Sequence, residues 1–301
     1  LHLGHARTFL IAWWHARARG GRVLMRLEDL DGPRSRPEFC DAALRDLEWL
    51  GLDWDGAPYL QSTGRERITR AARQLEERGF AYACICSRGD VARAQRAPQL
   101  GDVEPRYPGT CRGRFASSLE ARQSSGKAPG LRLRVPPGSV HVDDGFAGNH
   151  AYDVQASVGD FLIEKRDAAP AYQLAVVVDD AQQGVTEVVR GDDLLPSAAR
   201  QRLLQEALGL PRVRWFHVPL VLSAEGRRFA KRENALSLTE LRESGTDARA
   251  IVSWAACSLG MQVEPRERPA DVLARFDLKR LSRTPYALSE EELARLRAQR
   301  I

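Results

Sequence analysis

Apolar residues recur at helical spacing in three stretches of the first eighty residues, and in short unbroken blocks beyond them. From 5 to 19, Phe9, Leu10, Ile11 and Trp13 predict an amphipathic helix that Gly20-Gly21 stops. Arg22 to Leu27 (RVLMRL) predicts a buried strand that runs straight into the acids Glu28, Asp29 and Asp31. Pro37 to Leu50 predicts a second helix, with Phe39, Leu44, Leu47 and Leu50 on one face and Gly51 as its stop. Arg65 to Gly79 predicts a third. This helix–strand–helix order implies a parallel α/β sheet whose first strand lies before Leu1.

Between about Phe80 and Glu164 the pattern changes to cysteines, loops rich in Gly, Pro and Ser, and short alternating runs such as Leu131 to Val135. That composition predicts an inserted subdomain of mixed character. The α/β pattern then returns. Tyr172 to Asp180 (YQLAVVVDD) reads as a buried strand ending in acids, and Val185 to Arg190 (VTEVVR) as another. Ser197 to Leu208 reads as a helix and Val218 to Leu222 as a last apolar strand. From Leu238 onward the chain reads as all helix, with turns at Gly245 and Gly260.

Composition narrows the partners more than the fold. Lys plus Arg outnumber Asp plus Glu 45 to 40, and a pI of about 9.1 suits a polyanion such as RNA. No apolar run approaches the roughly 20 residues that span a bilayer. The five cysteines, Cys40, Cys84, Cys86, Cys111 and Cys257, are odd in number and form no disulfide framework, which fits a reducing cytoplasm. Cys40 and Cys257 read as core residues, and Trp13, Trp14, Trp49 and Trp54 as packing residues. His141, His150 and His217 match no chemical pattern. Because the chain starts at Leu1 rather than Met, it reads as a trimmed chain.

Chemistry concentrates at two places. His2-Leu3-Gly4-His5 opens the first helix, where unpaired N–H groups and the positive dipole end suit phosphates. Gly4 lets a flat base approach the backbone. Arg227-Arg228-Phe229-Ala230-Lys231-Arg232 follows an apolar strand and the flexible turn Ser223-Ala224-Glu225-Gly226. A basic loop there can close over a triphosphate and stabilise charge during attack at the α-phosphorus. Alone, each has a plainer reading, as surface histidines or as a solvated basic loop.

Together they resemble the two signature motifs of class I aminoacyl-tRNA synthetases. RLEDLD at 26–31, LEWLGLDWD at 47–55, YQLAVVVDD at 172–180 and VTEVVRGDDLL at 185–195 narrow the resemblance to the glutamyl branch, and within it to the glutamyl-Q-tRNA(Asp) synthetases. The resemblance covers essentially the whole chain. It implies a Rossmann-like α/β catalytic domain in two halves, 1–80 and 166–237. A tRNA acceptor-like, zinc-bearing insertion would occupy 81–165, and a small helical stem-contact-like domain 238–301.

It also implies an activity. Such enzymes join glutamate to ATP as an adenylate and pass it to the queuosine base of tRNA(Asp). The implied partners are ATP with Mg²⁺, L-glutamate and tRNA, for a monomeric cytoplasmic enzyme. Glutamate-binding positions fall on Glu28, Tyr172 and Arg190. A carboxylate and a phenol can hold an ammonium, and a guanidinium fork suits a carboxylate. The alternatives are a capping acid, a core aromatic and an ion-pair partner of Asp192 or Asp193. His2, Gly4, His5 and Lys231 fall on ATP, with His2, His5 and Lys231 catalytic.

Two departures stand out. The second motif ordinarily carries a lysine at its start and a serine before its final lysine. Here Arg227 or Arg228 and Ala230 take those places. The Arg-and-Ser-bearing segment that ordinarily precedes the histidine motif is not in this sequence.

Cys84-x-Cys86 with Cys111 offers three thiolates, which bind zinc when a fourth ligand completes a tetrahedron; unrelated buried thiols are the alternative. The resemblance supplies Tyr107 as that fourth ligand, giving a structural site of Cys84, Cys86, Tyr107 and Cys111. Two rivals remain: a glutamyl-tRNA synthetase without its C-terminal domains, charging tRNA(Glu), and a non-catalytic RNA-binding paralogue.

Overall fold

The computed structural model describes residues 1–30, 35–94, 106–227 and 237–300. Strands are numbered in chain order among these. The histidine motif opens a helix, Leu3–Arg17. Its Leu10, Ile11 and Trp14 are wholly buried, each stabilising the fold by about 1.5–3 kcal/mol or more. They pack with Leu47 of the Pro37–Trp49 helix, with its C-cap Leu50, and with Ile251, Val252 and Ala255 of the Ala248–Cys257 helix.

The expected strand at 22–27 is shorter than predicted. Only Arg26–Leu27 (β1) forms a ladder, pairing in parallel with Tyr59–Leu60 (β2). Upstream, the Val23 and Met25 carbonyls accept N–H bonds from Asp55 (2.7 Å) and Tyr59 (2.9 Å). The turn at Gly56, with φ of 85°, interrupts the partner segment and limits the ladder. The predicted inner face of Pro37–Trp49 is also narrower: Phe39 is 52% exposed and lies against Arg36.

Ala81–Cys84 (β3), Gly130–Leu133 (β4) and Leu162–Glu164 (β7) form an antiparallel sheet in the order β3-β4-β7. Val140–Asp144 (β5) and Gly148–Tyr152 (β6) pair with each other and join a different sheet. That sheet has the order β6-β5-β9-β8, with Glu187–Gly191 (β8) and Arg214–Val218 (β9) parallel and β5 parallel to β9. The Tyr172–Gln183 and Leu195–Leu208 helices share a core with these strands through Leu174, Val177, Leu204 and Trp215.

Three predicted elements are corrected. Tyr172 to Asp180 is a helix, running Tyr172–Gln183 and ended by Gly184 in the left-handed region at φ of 66°. An apolar run buried on all sides carries no period, so strand and helix look alike in it. The predicted strand at 218–222 is broken by Pro219, which has no N–H to give a ladder. Val218 closes β9, and Val221–Ser223 forms a separate strand, β10. The tail is not all helix, because Tyr286–Leu288 (β11) pairs in parallel with β10. Cys257 is exposed and Cys40 half-buried, not core. Trp13 and Trp14 are buried, and Trp49 and Trp54 pack at the core margin.

Candidate active site

His2 precedes the first helix in extended backbone. Its N–H donates to His5 Nδ1 at 3.3 Å, and the two rings stack with centroids 3.6 Å apart. Burial pushes His2 down to about 4, so the ring is neutral near pH 7. Gly4 sits against that ring: an added Cβ would lie 3.0 Å from His2 Cε1 and 3.7 Å from Val221 Cβ.

The same corner receives both flanks of the basic motif. β10 leads into a turn closed by Ser223 N–H to Arg227 O (2.8 Å) and Gly226 N–H to Ser223 O (2.9 Å). Arg228, Phe229, Ala230, Lys231 and Arg232 lie outside the described residues, as does Asp31. On the far side, Leu238 N–H donates to Leu1 O at 2.9 Å. Ser237 and Glu240 cap the Leu238–Glu243 helix by exchanging hydrogen bonds, at 2.9 and 3.1 Å. Buried Arg7 fixes the entry, donating to Pro219 O at 2.6 Å and to Ser258 Oγ at 2.9 Å.

A second constellation gathers at strand ends. Arg26 pairs with Asp180 at 2.8 Å and with Glu28 at 3.5 Å. Burial raises the Glu28 carboxyl, against the pull of Arg26 and with the push of Asp180 and Asp179. Tyr172, the first residue of its helix rather than a strand end, is 42% exposed; it lies in the field of Glu28, Arg190, Asp180 and Arg26, and partial desolvation raises its hydroxyl. Arg190 near the end of β8 lies in the field of Tyr172 and Asp180, and burial lowers its guanidinium from the usual range. Glu28, Tyr172 and Arg190 therefore lie in one charged neighbourhood, with Tyr172 in the field of both others. It lies at the carboxyl ends of β1 and β8, where α/β sheets bind ligands.

The thiols form a third. Cys84, Cys86 and Cys111 place their sulfurs within 4.8 Å of one another. Cys86 Sγ is 3.6 Å from Cys111 Sγ, and Tyr107 Oη lies 3.4 Å from Cys84 Sγ and 3.8 Å from Cys86 Sγ. A tetrahedron with zinc–sulfur bonds of about 2.3 Å has edges of about 3.8 Å, so these separations and this soft donor set fit a metal ion. Arg132 stands behind them, its Nε–H donating to Cys84 Sγ at 3.3 Å and its guanidinium 3.7 Å over the Tyr107 ring. Without a metal, burial and neighbouring sulfurs push Cys86 up to about 12, and burial raises Tyr107 as well.

Comparison with known proteins decides the family. The model of tRNA synthetases class I (E and Q), catalytic domain, matches residues 1–295. This chain belongs to that family. It is an aminoacyl-tRNA synthetase-like ligase. A glutamyl-Q tRNA(Asp) synthetase of Symbiobacterium thermophilum is 42% identical over 98% of this chain and 94% of its own. One from Nocardia farcinica is 43% identical over 97% and 91%. A crystal structure of a glutamate tRNA ligase from Elizabethkingia meningosepticum in complex with its amino acid superposes with a TM-score of 0.81 at 23% identity. It is covered over 65% of its length, by 97% of this chain, and shows the α/β fold.

Sequence reasoning missed three residues in this synthetase's charged cluster. Arg26 and Asp180 were legible only as parts of apolar runs, yet they pair beside Glu28. His217, which matched no pattern, is 1% exposed and hydrogen-bonds both Asp144 (2.6 Å) and Arg190 (2.9 Å). His217 and Arg190 are register partners in the β8–β9 ladder, and β9 is buried from Trp215 to Val218 without alternation, so its own sequence carried no signal. Among the described residues, no helix is long and apolar enough to cross a membrane.

Proposed function

We propose that this synthetase activates L-glutamate with ATP and transfers the glutamyl group to the queuosine base of tRNA(Asp). The family and the names of relatives similar along nearly their whole length support the reading. The observation that carries it is the shared charged neighbourhood of Glu28, Tyr172 and Arg190. One acid, one phenol and one guanidinium are the complement of an amino acid with an acidic side chain.

Glu28 and Tyr172 hold the substrate ammonium, and Arg190 holds the side-chain carboxylate. That leaves the α-carboxylate as the free nucleophile. One of its oxygens attacks the α-phosphorus of ATP, the bond to the bridging oxygen breaks, and pyrophosphate leaves. Gly4, whose missing Cβ makes room for the His2 ring, lines the nucleotide site. The helix N-terminus, His2 and His5 receive the phosphates, with His2 acting as a neutral hydrogen-bonding ring. Lys231 adds charge from the basic motif, and ATP arrives as its Mg²⁺ complex. Most of the acceleration is positioning and charge stabilisation. A hydroxyl of the queuosine cyclopentenediol then attacks the glutamyl carbonyl, and AMP leaves with the hydroxyl proton. No protein nucleophile is needed.

Cys84, Cys86, Tyr107 and Cys111 would hold zinc, which would supply a structural crosslink to a small cluster of little apolar mass. The insertion at 81–165 and the tail at 238–301 would then contact tRNA around the catalytic halves. The work is cytoplasmic, where tRNA and ATP are found. Glutamate-dependent ATP–pyrophosphate exchange tests the activation step. Exchange without any tRNA supports the reading; exchange only with tRNA(Glu) overturns it.

A further inference from the structure

Three parallel strands end side by side with a polar residue each. Asp144 is the last residue of β5, and His217 and Arg190 are the next-to-last residues of β9 and β8. Arg190 and His217 are register partners in the ladder. The side chains form a continuous chain across the sheet. Arg190 Nε–H donates to His217 Nε2 at 2.9 Å, and His217 Nδ1 lies 2.6 Å from Asp144 Oδ2. Both His217 and Asp144 have fully buried side chains.

The donors and acceptors fix one protonation state. A guanidinium N–H can only donate, so His217 Nε2 carries the lone pair and Nδ1 carries the proton. Nδ1–H then donates to Asp144. That carboxylate also accepts the N–H groups of Phe146 (2.9 Å), Ala147 (2.7 Å) and His217 itself (3.0 Å). Such a ring of donors holds it ionised. On its other side Arg190 donates to Gln201 Oε1 at 2.9 Å. Gln201 in turn donates to Gln173 Oε1 at 3.0 Å, and Gln173 to Ser197 Oγ at 3.1 Å. Gln173 follows Tyr172 in the chain, so the network reaches the start of that helix. The Arg190 fork is thus gripped from two sides.

We propose that Asp144 and His217 are a positioning pair, which sets the Arg190 guanidinium for the substrate's side-chain carboxylate. The inference rests on the role given to Arg190 above. A guanidinium on a stem of three methylenes otherwise samples several rotamers, and binding would have to fix them. His217 removes that cost beforehand by supplying an acceptor at the Nε position. Asp144 keeps the imidazole in the tautomer that can accept. Neither residue touches substrate.

The test compares KM for glutamate, KM for ATP and kcat in pyrophosphate exchange, with full-length protein and melting curves for each variant. His217→Leu is expected to raise KM for glutamate about 10-fold, with KM for ATP little changed. His217→Gln, which keeps an acceptor for Arg190, is expected to regain most of the loss. Asp144→Asn is expected to raise KM as well, because its amide can donate to Nδ1 and move the ring proton to Nε2. Arg190→Ala separates the two claims. If it raises KM for glutamate while His217→Leu and Asp144→Asn do not, the positioning pair is overturned and the pocket stands. If Arg190→Ala leaves that KM unchanged, the pocket and the pair fall together. Nitrogen NMR of the wild-type imidazoles gives a readout independent of folding in the variants. A neutral His217 protonated at Nδ1 is expected, and protonation at Nε2 would overturn the proposal.

Discussion

Gly4 and Val221 face each other where the histidine motif crosses the strand that leads into the basic motif: a Cβ built on Gly4 would stand 3.7 Å from Val221 Cβ. The same Cβ would stand 3.0 Å from His2 Cε1. A Cβ there would meet Val221 at ordinary van der Waals distance but crowd the His2 ring, so glycine leaves that ring in its stacked position over His5. Residues far apart in sequence meet at this corner, because Arg7 and Leu1 tie the helix to Pro219 and Leu238.

Gly4→Ala separates stability from nucleotide binding. Alanine favours a helical position by up to about 1 kcal/mol, so thermal stability should hold or rise. The displaced His2 ring should raise KM for ATP by about 10-fold, with KM for glutamate little changed. Steady-state exchange kinetics and a melting curve on one preparation check both. An unaltered KM for ATP would remove the histidine motif from the nucleotide site.

Tyr172→Phe deletes one hydroxyl from the cluster that joins Glu28 and Arg190. Loss of a single hydrogen bond to substrate should raise KM for glutamate about 5-fold. Glu28→Gln loses a charge-assisted partner for the ammonium and should raise it by about 10- to 100-fold. Equal effects on ATP and glutamate would show that the residues only support the fold.

The thiol cluster predicts one bound metal ion per chain, measurable by elemental analysis of purified protein. Cys84→Ser or Cys111→Ser should abolish it, and a strong chelator should lower the melting temperature by more than about 5 °C. Cys257→Ser is the matched control, because Cys257 is exposed on the Ala248–Cys257 helix and outside the cluster. Metal content that survives Cys111→Ser would break the assignment.

His2, lowered by burial to about 4, and the buried His15 and His217 set a pH dependence of folding. Burial lowers His15 and His217 below 6.5 in the folded chain, against the pull of Glu187 and Asp144 respectively. Below pH 6.5 the unfolded chain therefore binds protons that the folded chain does not. Stability is full above that pH and falls as pH drops toward the folded values, by at most about 1.4 kcal/mol per pH unit for each histidine. Urea titrations between pH 5 and 8 on wild type and His15→Gln read the slope, which should flatten in the variant.

Much of the fold was legible because the pattern had a period. Leu3–Arg17, Pro37–Trp49 and Arg65–Glu77 fall within a few residues of expectation, since each has one buried face and a glycine stop. Tyr172–Gln183 was misread because all of its first nine residues but Tyr172 are buried, which erases the period. Pro219 and the short β11 escaped because a ladder of three residues is specified by its distant partner, not by its own sequence. The chemistry divides similarly. Cys84, Cys86, Tyr107 and Cys111 were named together from spacing and resemblance, and they meet in space. His217 was passed over because its partners, Asp144 and Arg190, come from two other strands.

The most direct test of the proposed activity is transfer of labelled glutamate to three acceptors: tRNA(Asp) containing queuosine, the same tRNA without it, and tRNA(Glu). Labelling confined to queuosine-containing tRNA(Asp) is the predicted result. Labelling of tRNA(Glu) in its place, or equal labelling of tRNA(Asp) with and without queuosine, would contradict it.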